Sequence, residues 1–144
     1  MLAIDSMRGG YGSTTVLHGL SLDVEPGERR AIIGRNGAGK TTLLKAIIGN
    51  VPVREGTLAF EGVDLTKVRP HRRARLGIGY VPQGRQIFPR LSVLENLHVG
   101  GLGSGTRTWR STLDDVMDEF PMLADKAHAP GGSLSGGQQQ LLAL

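Results

Sequence analysis

Cysteine is absent from all 144 residues. No disulfide can brace the fold, and the absence fits a reducing compartment while excluding none. Long hydrophobic runs are missing too: no stretch approaches the roughly 18 apolar residues that a membrane-spanning helix needs. The N-terminus lacks the apolar stretch of a secretory signal and carries Asp5 and glycines in its place. The remaining composition, 39% apolar and 21% charged, is ordinary for a soluble globular chain of one domain's length.

Glycine, by contrast, is abundant at 22 residues, and three of them fall in a patterned loop. Gly34-Arg35-Asn36-Gly37-Ala38-Gly39-Lys40-Thr41 fits the P-loop pattern. A triphosphate needs several backbone N–H donors converging on its oxygens with no Cβ in the way, which glycine permits. Gly34, Gly37 and Gly39, with Asn36 and Ala38 between them, are expected to wrap the phosphates. A helix starting near Lys40 would aim its unpaired N–H groups and positive dipole end at them. Lys40 is expected at the β/γ-phosphates, the Thr41 hydroxyl on a bridging Mg²⁺, and Thr42 at a further phosphate contact. The flanks suit the motif: Arg29 to Ile33 reads as a short buried strand and Thr41 to Ile48 as a helix ending at Gly49. Chance alone would place such a pattern in a chain of this composition about one time in a hundred.

A second motif, Leu134-Ser135-Gly136-Gly137-Gln138, is rarer still. Ser135-x-x-Gln138 is a helix capping box, and Gly136 and Gly137 leave N–H groups bare for an anion. With this motif the chain resembles the ATP-binding-cassette (ABC) ATPase family, along its whole length and with the family's motifs in order. These are an aromatic at Tyr11, the P-loop, a glutamine at Gln83 after Ile78-Gly79-Tyr80-Val81, which reads as a strand, and the signature at Leu134 to Gln138. The resemblance implies an α/β P-loop NTPase fold with an N-terminal antiparallel β portion and a helical signature subdomain. It implies ATP and Mg²⁺ as ligands, with Tyr11 stacked on adenine and Gln83 on Mg²⁺ or its water. It also implies a head-to-tail dimer, in which Ser135, Gly136, Gly137 and Gln138 meet the γ-phosphate held by a second ABC ATPase subunit. A plain P-loop kinase or GTPase has no use for that signature.

Val81-Pro82-Gln83-Gly84-Arg85-Gln86-Ile87-Phe88-Pro89, Glu95-Asn96-Leu97, Phe120-Pro121 and Gln139-Gln140-Leu141-Leu142 look like branched-chain amino-acid importers and the related urea importers. Arg69-Pro70-His71-Arg72 with Pro82-Gln83 tilts toward urea. The resemblance thus implies transmembrane permease subunits, indirectly a solute-binding protein, and a place in the cytoplasm on the inner face of the cell membrane. Two other readings stand beside it: a non-catalytic nucleotide-binding module, and a non-transport ABC protein acting on ribosomes or DNA. The net charge of +4 and the cluster Lys67, Arg69, His71, Arg72, Arg73 and Arg75 invite the latter, yet a solvated face or contact with acidic lipid headgroups explains them as well. Nucleic acid is the disfavoured partner.

Along the chain, Leu2 to Met7, Val16 to Val24 and Gly56 to Phe60 read as strands, with a Pro26-Gly27 turn. Ser92-x-x-Glu95 is a capping box opening a helix over Val93 to Val99, and Gly100 to Gly105 reads as a loop. Trp109, Leu113, Val116, Met117 and Phe120 recur at helical spacing and read as core. The expected organisation is one incomplete cassette over 1–144: a β-rich portion with the P-loop core at 1–88, a helical subdomain at 89–133, and the signature with the start of its helix at 134–144. The chain stops before the acidic Walker B strand and the switch histidine of the family. Its catalytic set is therefore expected to be incomplete, with Gln83 the one candidate. The sheet should lack central strands, and the 144 residues should bind nucleotide weakly without turning over ATP.

Overall fold

The structure, a computed structural model, describes residues 1–104 and 109–144, without the side chains of 103–111. Two compact units divide the chain, Met1–Ile78 and Gly79–Leu144. In the first, β1 (Leu2–Tyr11), β2 (Thr14–Val24), β3 (Val53–Phe60) and β4 (Val63–Asp64) form an antiparallel sheet in the order β2-β1-β3-β4. Strand β1 is central: Ile4 lies opposite Leu22 on one side and Leu58 on the other. A register shift between Ile4 and Met7, where Ser6 adopts φ 49°, lets both side chains join the core with Leu17, Leu58 and Leu65, and helix α1 (Lys40–Ile47) adds Leu43 and Ala46 to that cluster. Burying each of the Ile, Leu and Met side chains contributes about 1.5–3 kcal/mol. Helix α2 (Pro70–Arg75) closes the unit, with Pro70 in its first turn, where a missing N–H costs nothing.

The second unit is helical: α3 (Val93–Ser104), α4 (Trp109–Glu119), α5 (Pro121–Ala124), a 3₁₀ turn at Gly131–Ser133, and α6 (Gly136–Leu142). Val93, Leu123, Leu134 and Leu142 form its core, with Met117, Phe120 and Leu141 packed against them. The core stripe expected on α4 is therefore in place at Met117 and Phe120, while the Trp109 side chain lies outside the described residues. Asn96 fastens the entry to α3: its amide donates to the carbonyls of Phe88, Leu91 and Ser92, and its Oδ1 accepts from Phe88 N–H at 2.7 Å. Among the described residues no helix is long and apolar enough to cross a membrane.

Three expectations are corrected. Residues 28–33 form no strand; Ile33 is 90% exposed. Residues 78–81 form none either, although Ile78 packs on the first core. An apolar run becomes a strand only when a neighbour supplies ladder hydrogen bonds, and the described sheet pairs neither segment. The glycine-rich stretch from Gly100 is not a loop, because α3 continues through Ser104. Each glycine costs a helix up to about 1 kcal/mol against alanine, but packing against α4 outweighs that propensity. Gly105 lies outside the described residues.

At the start of α3, Glu95 accepts from the Ser92 N–H and hydroxyl, and Ser92 Oγ accepts from Glu95 N–H. The Ser92 N–H, and then its hydroxyl, hold the Glu95 carboxyl below the usual glutamate value. A carboxylate depressed in the folded state stabilises fully above its unfolded value and loses that contribution as pH falls through the folded one. Amide exchange in the first turn of α3 is thus expected to quicken, relative to the rest of the helix, between about pH 5 and about pH 3. Unchanged relative protection would show that the box does not hold the turn.

Candidate nucleotide site

The chain leaves β2 through a turn at Pro26-Gly27, closed by Glu28 N–H to Glu25 O at 3.0 Å and Glu25 N–H to the Glu28 carboxylate at 2.8 Å. It then runs exposed to the loop ahead of α1. Gly39 is the N-cap of α1 in a left-handed conformation, φ 93° and ψ 2°. An added Cβ there would sit 3.4 Å from both Val16 Cγ1 and Leu17 Cδ2. Glycine at 39 thus lets the chain turn sharply into the helix while resting on β2. The first intrahelical bond is Leu43 N–H to Gly39 O at 2.8 Å, so the N–H groups of Lys40, Thr41 and Thr42 have no acceptor within the helix. Lys40 folds back over the loop and donates through Nζ to the carbonyls of Gly34 and Arg35, at 2.7 Å each. The junction gathers a cation, a helix N-terminus with open first-turn amides and a glycine loop in one place, an arrangement suited to a polyanion.

Gly39→Ala is expected to lower stability by about 1–2 kcal/mol, the cost of a left-handed non-glycine residue. Urea unfolding measures it. A midpoint equal to wild type would mean that the turn relaxes freely.

Of the other candidates in this unit, Tyr11 ends β1 opposite Thr14 and is 47% exposed. Thr41 is exposed and Thr42 is buried. The residue that fastens the far end of α1 lies unmarked within the basic cluster. Arg73, read with its cluster as a surface facing solvent or acidic headgroups, is 3% exposed. Its guanidinium donates to the carbonyls of Ala46 (2.7 Å), Ile47 (2.8 Å), Leu65 (2.5 Å) and Val68 (2.8 Å). Burial pushes its pKa down, with the Asp64 charge opposing. Arginine stays charged regardless, so it neutralises the carbonyl end of α1. Nothing in the run of basic residues marked Arg73 apart from its neighbours.

In the second unit Gln83 is exposed in a turn with Gly84. The signature behaves as its spacing predicts: Ser135 caps α6, accepting from Gln138 N–H, while the Gln138 side chain accepts from Ser135 N–H. Gly136 is half-buried and Gly137 exposed. Arg85, also unmarked in the sequence, adopts a positive φ of 61°. It donates to the Gln139 side chain at 3.3 Å, and its guanidinium covers Gly136 so closely that a Cβ there would lie 3.0 Å from it. The structure thus brings the residues from Gly34 to Thr42 together in one unit, and the Gln83 turn and the signature in the other.

The family model described as ABC transporter matches residues 17–144. The chain is similar to the high-affinity branched-chain amino acid transport ATP-binding protein BraG of Pseudomonas aeruginosa. They are 38% identical over 144 residues, all of this chain and 62% of that protein. It is also similar to a probable branched-chain amino acid transport ATP-binding protein, LivF, of Archaeoglobus fulgidus, at 35% identity over all of this chain and 61% of that protein. Among solved structures it resembles an ATP binding subunit of an ABC transporter, with TM-score 0.84 and 28% identity over 99% of this chain and 59% of that one. The chain therefore spans about three fifths of the length of these relatives.

Proposed function

The chain belongs to the ABC transporter family, and on that premise we propose that it binds ATP as part of the ATP-binding subunit of a solute importer. The observation that carries this reading is the junction at Gly34–Thr42, where Lys40 Nζ lies 2.7 Å from two loop carbonyls beside the open first turn of α1. Phosphate oxygens would take the place of those carbonyls on Lys40 and bond the first-turn N–H groups. Gly34, Asn36, Gly37, Ala38 and Gly39 would line them, and Tyr11 would offer its ring to adenine.

Magnesium fits here as a companion of the nucleotide. Among the described residues no group of three or more His, Asp or Glu could hold an ion, while Thr41 supplies one hard oxygen at the first turn of α1. Thr41 would orient an ion that the phosphates bring, and Gln83, in the other unit, is carried over from the family resemblance as the second metal candidate. Such an ion would neutralise charge between the phosphates.

In the complete protein we propose hydrolysis coupled to transport. A second cassette would pack head to tail, so that Ser135, Gly136, Gly137 and Gln138 complete the partner's nucleotide site. The permease subunits would hold the assembly on the inner face of the membrane, and a solute-binding protein would deliver cargo. The relatives' names favour a branched-chain amino acid as the solute, and Arg69-Pro70-His71-Arg72 with Pro82-Gln83 keeps urea as the alternative. A fluorescent ATP analogue with Mg²⁺ tests the proposal. Saturable binding, displaced by unlabelled ATP, is the expected result. No saturation at millimolar nucleotide would overturn it.

A further inference from the structure

The residues around the buried Arg73 form a second cationic feature that the nucleotide site does not use. Lys67, Arg69, His71 and Arg72 line, with Val68, one open surface pocket of about 470 Å³. The loop that carries the first of them is fastened from within. Arg73 holds the carbonyls of Leu65 and Val68, Val68 N–H bonds Leu65 O at 2.9 Å, and Asp64 accepts from the Thr66 N–H at 2.8 Å and from its hydroxyl at 2.5 Å. The cationic side chains therefore project from a braced scaffold and are not part of a loose solvated tail. Asp64 is the acid beside Lys67, and the two Thr66 bonds, then the charges of Lys67 and Arg73, keep its carboxyl below the usual aspartate value. Among the described residues, the ion pairs that form involve none of the four pocket side chains.

We propose that this pocket binds a phosphate-bearing anion, free or as the headgroup of an anionic lipid. Two guanidinium groups and an ammonium around one small cavity suit a multiply charged tetrahedral anion, which arginine grips through paired N–H donors. Nucleic acid fits less well, since no Phe, Tyr or Trp lines the pocket to give a broad stacking face, and the cavity has the scale of one headgroup. The site is independent of the nucleotide reading.

The test is residue-resolved. Inorganic pyrophosphate is titrated into the ¹⁵N-labelled chain at low ionic strength, and the amides of residues 66–76 are followed separately from those of residues 34–42. Saturable shifts at 66–76 are expected, and each of Lys67→Gln, Arg69→Gln and Arg72→Gln should weaken them about fivefold. These side chains are exposed and form no ion pair among the described residues, so the shifts of the buried Arg73 region report that each variant is folded. Absent shifts at 66–76, or shifts that the triple variant leaves unchanged, overturn the proposal, whatever happens at 34–42. Flotation with vesicles containing phosphatidic acid separates the sources. Capture lost in the triple variant assigns a lipid headgroup, and pyrophosphate binding without capture assigns a free anion. Duplex DNA that binds tighter than pyrophosphate and shifts amides well beyond the pocket would also overturn the proposal.

Discussion

Lys40→Ala is expected to weaken ATP binding by about 100-fold while leaving the chain folded. Lys40 stands at the mouth of the loop, and its ammonium already makes two 2.7 Å bonds to Gly34 and Arg35 carbonyls. On phosphate, that charge would supply a charge-assisted hydrogen bond worth about 1.5–3 kcal/mol, and each 1.4 kcal/mol is tenfold in affinity. The same substitution frees two carbonyls, but they lie in an exposed loop where water replaces the lost donor. Stability should therefore change by less than about 1 kcal/mol. Isothermal titration with ATP and Mg²⁺, paired with urea unfolding, separates the two effects. Wild-type affinity in the alanine variant would mean that the loop amides alone carry the phosphates, or that nucleotide binds elsewhere.

Arg73→Met is expected to do the opposite, costing stability first. Its guanidinium satisfies four carbonyls in the interior of the first unit, two of them at the C-terminal end of α1. Methionine fills similar volume and bonds none of them. Buried acceptors left without a donor cost about 1–3 kcal/mol each when water cannot reach them, so a loss of about 3 kcal/mol or more is expected after relaxation. Arg73→Lys should recover only part, since an ammonium has three donors and no planar fork. The informative readout is amide exchange resolved by residue: protection across Leu43–Ile47 should fall, and that of α6 in the other unit should hold. Equal protection of α1 in wild type and the methionine variant would show that the clamp is dispensable.

Much of the local architecture was legible in the chain because it depends on neighbours in sequence. Both capping boxes form from residues three apart, at Ser92–Glu95 and Ser135–Gln138. Helix α1 starts at Lys40, and Gly49, with φ 90°, follows its C-cap, since a left-handed turn at that point favours glycine. The antiparallel strands also emerged, although short: β1 extends to Tyr11 and β3 begins at Val53. Residues 29–33 did not become a strand. Their apolar character reads the same with or without a partner, but a ladder needs a second strand in register. Arg85 escaped notice for a related reason, because its contact with Gly136 and Gln139 spans fifty residues and leaves no periodic trace.

The order of the phosphate motifs, the cap chemistry, the turn glycines and the family are all written in residue identity at short or fixed spacing, and so are legible in the chain before it folds. Which of six neighbouring basic residues goes inside is settled by packing alone. Arg69, Arg72 and Arg73 are chemically alike and nearly adjacent, yet the direction of α2 and the carbonyl end of α1 place Arg73 alone among four acceptors and leave the others facing water. That choice depends on a meeting of backbone segments up to 27 residues apart, which no local pattern encodes.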